Sequence, residues 1–250
     1  MNRKTVNEII EVLFPSEIKC ILCNKEIIPN RYGLCENCSY DNNVNFCVRC
    51  GRHKVGIGDY CGECSDQTLY FDEARSSVVY DDKAKHSIWQ LKYGDARYLS
   101  HALGEFMLDT LLNTDWQYDC FTFVPIHAKR LKRRGYNQSE LLAAELSDKT
   151  TVPCIKLLDK IKATPNQARL SRDERMVNLK DAFVSVAPSP KHVVLVDDVM
   201  TTGSTVNECA KTLKRAGASV VYVLTFASVP ERPVLDRPSR KIGDFRKSGE

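Results

Sequence analysis

The 250-residue chain has no apolar run approaching the roughly 20 residues a membrane-crossing helix needs, so an integral membrane protein is not expected. The opening Met1 to Cys20 also lacks the apolar stretch of a secretory signal, and the expectation is a cytoplasmic protein. The excess of one sign of charge is small. A net +4 does not by itself point to nucleic acid, so any such role must rest on a local patch. No nucleophile–base motif is present. The five histidines, His53, His86, His101, His127 and His192, lack ligand spacing with one another and read as surface or packing residues, only His127 falling near a candidate cleft. Of the two tryptophans, Trp89 stands four residues before Tyr93, and this helical pair is expected in the core rather than as a base-stacking platform.

Cysteine is plentiful. There are 11, an odd number, and Cys120, Cys154 and Cys209 stand alone in segments that read as core, which argues for thiols rather than a disulfide framework. The other eight form four Cys-x-x-Cys pairs: Cys20 and Cys23, Cys35 and Cys38, Cys47 and Cys50, Cys61 and Cys64. Such a turn aims two thiolates at one ion, and two turns complete a tetrahedral zinc site. Two structural zinc ions account for all eight. Sequential pairing closes each site with a short loop and is the expectation; cross-bracing the first pair with the third is the alternative. Four-thiolate zinc has no open position for activating water, so the module is expected to be structural, with a redox role the lesser alternative.

After Cys64 the pattern changes. Arg75 to Tyr80 reads as a strand, Lys83 to Tyr93 and Leu99 to Leu112 as amphipathic helices, and a short helix is expected over Glu8 to Phe14. Strand-like runs then alternate with helical ones: Phe121 to Val124, Gln138 to Leu146, Val193 to Val196, Thr205 to Ala216 and Val220 to Phe226. This βαβ rhythm predicts an α/β fold with a parallel sheet flanked by helices, preceded by a small four-cysteine zinc-ribbon-like module. The expected divisions are 1–70 for the zinc module, 71–228 for the α/β domain and 229–250 for a basic, disordered tail. Thr164 to Asn178, polar and Arg-rich, is either a mobile flap over substrate or a surface loop leading into a short helix.

The most informative segment is Val193-Val194-Leu195-Val196-Asp197-Asp198-Val199-Met200-Thr201-Thr202-Gly203-Ser204-Thr205. It reads as a buried strand, two carboxylates and a hydroxyl-rich turn at a helix N-terminus. Unpaired N–H groups and the positive end of the helix dipole bind phosphate there, with Thr and Ser hydroxyls as further donors. The carboxylates can accept from vicinal ribose hydroxyls, so the loop suits a ribose 5-phosphate; a capping pair and a sugar-free metal site are the plainer alternatives. Lys129, Arg130, Lys132, Arg133 and Arg134 place five basic side chains in six residues. Pyrophosphate, a DNA backbone or plain solvent are the candidate partners of that run.

The loop resembles the phosphoribosyl pyrophosphate (PRPP) motif of type I phosphoribosyltransferases. The segment Pro125 to Gln138, followed by Thr164, Gln167, Leu170, Arg172, Arg175, Asn178 and Phe183, resembles the ComF family, whose members also begin with a cysteine-rich zinc module. Ile126 and Ala128 depart mildly from the family pattern. The resemblance implies a type I phosphoribosyltransferase fold and a link to natural competence, the import of single-stranded DNA. It further implies PRPP binding by Asp197, Asp198, Thr201, Thr202, Gly203, Ser204 and Thr205 together with Lys129, Arg130, Arg133 and Arg134. Asp197, Asp198 and Arg133 would carry any transfer chemistry, with Mg²⁺ bridging the pyrophosphate and ribose oxygens. The zinc module offers a possible protein contact. Two functions remain open, a DNA-handling competence protein that binds PRPP and a metabolic enzyme moving phosphoribose to a nitrogenous acceptor.

Overall fold

The computed structural model describes residues 19–62, 64, 68–162, 179 and 181–231. The expected helix at Glu8 to Phe14 and the Thr164 to Asn178 segment lie outside the described residues. Four parallel strands form the main sheet: β1 (Glu73–Val79), β2 (Cys120–Phe123), β5 (His192–Met200) and β6 (Val220–Ser228), in the order β1-β6-β5-β2. A separate antiparallel hairpin joins β3 (Leu158–Lys160) to β4 (Phe183–Ser185). The helices are α1 (Asp82–Tyr93), α2 (Leu99–Leu112), α3 (Ala128–Arg134), α4 (Gln138–Thr150) and α5 (Ser204–Arg215).

Strand β5 shows why the sheet is closed on both faces. Val193 and Leu195 join one core cluster, with Val206, Cys209, Ala210 and Leu213 of α5 and the hairpin residues Leu158 and Phe183. Val194 and Val196 join the other, with Ile88 and Leu91 of α1, Leu103 and Met107 of α2, and Leu142 and Leu146 of α4. A strand whose side chains alternate between two covered faces reads as an unbroken apolar run, which is the pattern of Val193 to Val196. Register then fixes the site: β5 pairs with β6 so that Asp197 lies opposite Thr225, and Thr225 Oγ1 meets Ser76 Oγ of β1 at 2.7 Å. Buried hydroxyls thus continue inward from the carboxylates, each with a partner.

The helix ends follow their sequences. The Asp81 side chain accepts from Ala84 N at 2.8 Å to start α1, and Asn137 accepts from Ser139 N at 3.1 Å to start α4. Helix α3 was not expected from periodicity. It is short and has no buried residue; His127 Nδ1 caps it by accepting from Lys129 N at 3.2 Å, and Gly135 ends it at φ +84°.

Trp89 and Tyr93 correct the expectation of core packing. The buried face of α1 is taken by Ala84, Ser87, Ile88 and Leu91, and the two rings stand 54% and 55% exposed. Residues 229–231 follow β6 directly. Val229 N donates to Met200 O at 2.9 Å and Glu231 N to His53 O at 2.9 Å, so the chain leaves β6 along the second cysteine loop. The remainder of the tail lies outside the described residues.

Candidate functional site

Asp197 and Asp198 sit near the carboxyl end of β5, both buried. Ser139 Oγ donates to Asp197 Oδ1 at 2.7 Å, and Gln138 Nε2 donates to Asp198 Oδ1 at 3.0 Å, so the first turn of α4 holds both carboxylates. Lys92, from the last turn of α1, forms an ion pair with Asp198 Oδ2. Arg134 reaches the pair indirectly by donating to Gln138 Oε1. Burial and then the Asp198 charge push the Asp197 carboxyl up to about 7. Burial also opposes charge on Asp198, but the Lys92 ammonium outweighs it and holds that carboxyl below its usual range. Adjacent carboxylates are therefore tuned apart: Asp198 stays ionised, and Asp197 exchanges a proton near neutral pH.

Beyond the pair, Thr201 to Gly203 turn the chain into α5. Gly203 occupies the N-cap at φ +76° and has no side chain to cap the helix, while Ser204 N donates to Thr202 Oγ1 at a long 3.4 Å. Thr202 Oγ1 and Ser204 Oγ lie 2.9 Å apart, both partly exposed. An uncapped helix start edged with hydroxyls is the arrangement an anion fills. Arg52 of the second cysteine loop holds the turn from outside, its Nη1 donating to Thr201 O at 2.7 Å.

The basic run lies on α3 as a five-cation helix. Lys129, Lys132 and Arg133 are exposed, while Arg130 and Arg134 are half-buried. Lys160 of β3 lies close enough to feel Arg130 and Asp197, and burial above all lowers its pKa. Lys92, Gln138, Ser139, Lys160 and Arg52 are the site residues that sequence reading passed over as such. Asn137-Gln138 stood at the end of a family-like segment, but Lys92 and Arg52 belong to distant stretches with no local signal.

The eight cysteines gather sequentially. Cys20, Cys23, Cys35 and Cys38 form one group and Cys47, Cys50, Cys61 and Cys64 another, with all ligand atoms in each group within 4.8 Å of one another. The Cys23–Cys35, Cys47–Cys64 and Cys50–Cys61 sulfur separations are 3.7, 3.8 and 3.6 Å. A tetrahedron with Zn–S bonds of about 2.3 Å has S···S edges of about 3.8 Å, so both groups fit zinc. The first group rides on α2, where Arg31 pairs with Glu105 and Tyr32 Oη donates to Asp109 Oδ2 at 2.6 Å. The second is buried against the α/β core, and its Cys50, Cys61 and Cys64 share one small cavity with Met200, Thr202 and Gly203.

A family model described as a phosphoribosyl transferase domain matches residues 131–246, and one described as a double zinc ribbon domain matches residues 9–65. Competence protein F of Haemophilus influenzae is 30% identical over 216 residues, covering 82% of this chain and 94% of that protein. The chain belongs to the ComF family. Another ComF-family relative, the DNA utilization protein YhgH of Escherichia coli K12, is 33% identical over 215 residues, with 82% and 94% of the two chains covered. Competence protein ComFC of Streptococcus pneumoniae is 27% identical over 64% of this chain and 72% of its own. As a ComF-family protein the chain joins a phosphoribosyltransferase-type parallel sheet to a double zinc ribbon, and no helix among its described residues is long and apolar enough to cross a membrane.

Proposed function

We propose that the loop from Asp197 to Thr205 binds the phosphoribosyl group of PRPP, and that the protein acts in DNA uptake for competence by handling single-stranded DNA on the cytoplasmic side. The observation that carries the ligand is the uncapped start of α5 beside a buried carboxylate pair. The 5-phosphate sits on the α5 amides and on the hydroxyls of Thr201, Thr202, Ser204 and Thr205, and Asp197 and Asp198 accept from the ribose hydroxyls. The pyrophosphate lies toward Lys129, Arg130, Arg133 and Arg134, of which Arg134 reaches the carboxylates through Gln138. The names of the relatives, competence protein and DNA utilization protein, support the DNA role.

Asp198 is already engaged by Lys92 and Gln138, so the carboxylates do not form a cage for a resident cation. Mg²⁺ would fit as a companion of the ligand, supplying charge neutralisation for its phosphates when bound. The chain's own share of a transfer step is placement: it fixes the ribose, holds the departing polyanion on cations, and offers Asp197 as a group able to take a proton at neutral pH. That proton-accepting carboxyl favours a second reading, transfer of phosphoribose to a nitrogenous acceptor.

Calorimetric titration of the zinc-loaded protein with PRPP and Mg²⁺ tests the ligand. Saturable binding that disappears when Asp197 and Asp198 are both changed to Ala supports it, and no binding by a folded wild type removes it. Pyrophosphate release with nitrogenous bases and amines tests turnover, and salt-dependent binding of single strands tests the DNA role.

A further inference from the structure

The exposed rings of α1 need an occupant. Trp89 and Tyr93, one helical turn apart, have ring centroids separated by 6.0 Å and planes inclined at 49°. The Arg134 guanidinium carbon stands 5.1 Å from the Tyr93 ring centroid, which joins the aromatic pair to the five-cation helix α3. Between them in sequence, Lys92 pairs with Asp198. Arg134 also donates to Gln138, which holds Asp198, so the rings lie at the rim of the carboxylate site, with basic residues alongside. Core packing does not account for them, because the inner face of α1 is completed by Ala84, Ile88 and Leu91 at 3% exposure or less.

Open π-faces beside a row of cations match the two surfaces of an unpaired strand. Bases stack on rings without regard to sequence, phosphates follow the cations, and an arginine over an aromatic ring adds a cation–π contact. A duplex offers no free base faces to such a surface. An apolar protein partner would leave the cations of α3 without counter-charges.

We infer that Trp89 and Tyr93, with Arg134 and the outer cations of α3, form a base-stacking platform that receives single-stranded nucleic acid at the mouth of the phosphoribosyl site. The platform rests on the single-strand reading above and gives it a location. Trp89 also supplies the probe. The other tryptophan, Trp116, is buried and stacked on Tyr222 at 4.6 Å, so a change in emission on binding reports Trp89.

The experiment titrates zinc-loaded protein with fluorescein-labelled dT20 from 50 to 300 mM KCl, following anisotropy, and with unlabelled dT20, following tryptophan emission. Wild type is expected to bind with quenching of emission. Trp89→Ala combined with Tyr93→Ala should lose about 10- to 100-fold in affinity with an unchanged salt slope and with PRPP binding retained. Trp89→Phe should restore most of the affinity without the quenching. Lys129→Gln with Lys132→Gln should instead flatten the salt slope. Undiminished dT20 binding by the double aromatic variant, or binding by wild type with no change in emission, overturns the platform and leaves single-strand binding standing. Binding of dTMP as tight as that of dT20 also overturns it, since the surface then serves a lone nucleotide. Failure of wild type to bind dT20 even at 50 mM KCl removes the single-strand reading and the platform together.

Discussion

Arg52 Nη1 donates to Thr201 O at 2.7 Å, across 149 residues of sequence, and ties the second cysteine loop to the phosphate turn. The bond runs from a guanidinium to a carbonyl in a half-buried position, so its loss should be felt at the turn. Arg52→Ala is expected to weaken PRPP binding roughly 10-fold, the order of a lost charged hydrogen bond, with zinc content unchanged. Calorimetry beside metal analysis checks it; unaltered affinity would show that the turn holds its shape without the ribbon.

The two cysteine groups should differ in what they support. All four thiols of the second group are buried in the core that includes Met200 and Val206, whereas Cys23 of the first is exposed. Cys61→Ser is expected to release one zinc, lower the melting temperature of the whole chain and abolish PRPP binding. Cys23→Ser should release the other zinc with PRPP affinity kept. Zinc stoichiometry, thermal unfolding and calorimetry on both variants decide the matter, and equal loss of PRPP binding in both would contradict the asymmetry.

Lys92 is the counter-charge of a buried carboxylate. Lys92→Met keeps the stem and removes the ammonium, leaving Asp198 beside Asp197 without compensation. The expected cost is about 3–5 kcal/mol in urea unfolding. Adding Asp198→Asn to Lys92→Met should recover much of it, because the uncompensated charge is then gone.

The raised pKa of Asp197 gives a pH dependence opposite to that of an ordinary carboxylate. With a folded value of about 7 against 3.8 unfolded, the folded state holds the proton more tightly, so stability falls as pH rises from about 4 to about 7 and is level beyond. Asp197→Asn can still accept from Ser139 and carries no ionisation to oppose. Its stability relative to wild type should therefore grow between pH 5.5 and pH 8, by on the order of 2 kcal/mol. The depressed Asp198 and raised Lys92 titrate outside this window. A constant difference between the two proteins across that range would mean that Asp197 is already ionised at pH 5.5.

Gly203 stands at φ +76°, and a Cβ there would lie 3.4 Å from Met200 Sδ. Gly203→Ala should destabilise by about 1–2 kcal/mol through backbone strain and weaken PRPP binding more than the equally local Thr201→Ser. Chemical unfolding and calorimetry on the pair test this.

Much of the molecule was written locally in the chain. The apolar run Val193 to Val196 with flanking helical periodicity specified a parallel strand covered on both faces, and the structure extends it to His192–Met200. Four Cys-x-x-Cys turns specified two thiolate groups, because two sulfurs three residues apart can face one ion whatever surrounds them. The Asp-Asp and Thr-Thr-Gly-Ser-Thr sequence lies on a strand end and a helix start, as the local pattern of apolar run, turn and helical periodicity specified. Short loops favoured sequential pairing of the turns, and the fold brings them together in that order. Tertiary packing alone decided the rest. Lys92 meets Asp198, Arg52 meets Thr201, and Trp89 and Tyr93 face outward because long-range docking chooses partners and helix faces that no short window encodes. A helical spacing of aromatics fixes that two rings share one face; the helices and sheet that α1 packs against determine whether that face meets the core or solvent.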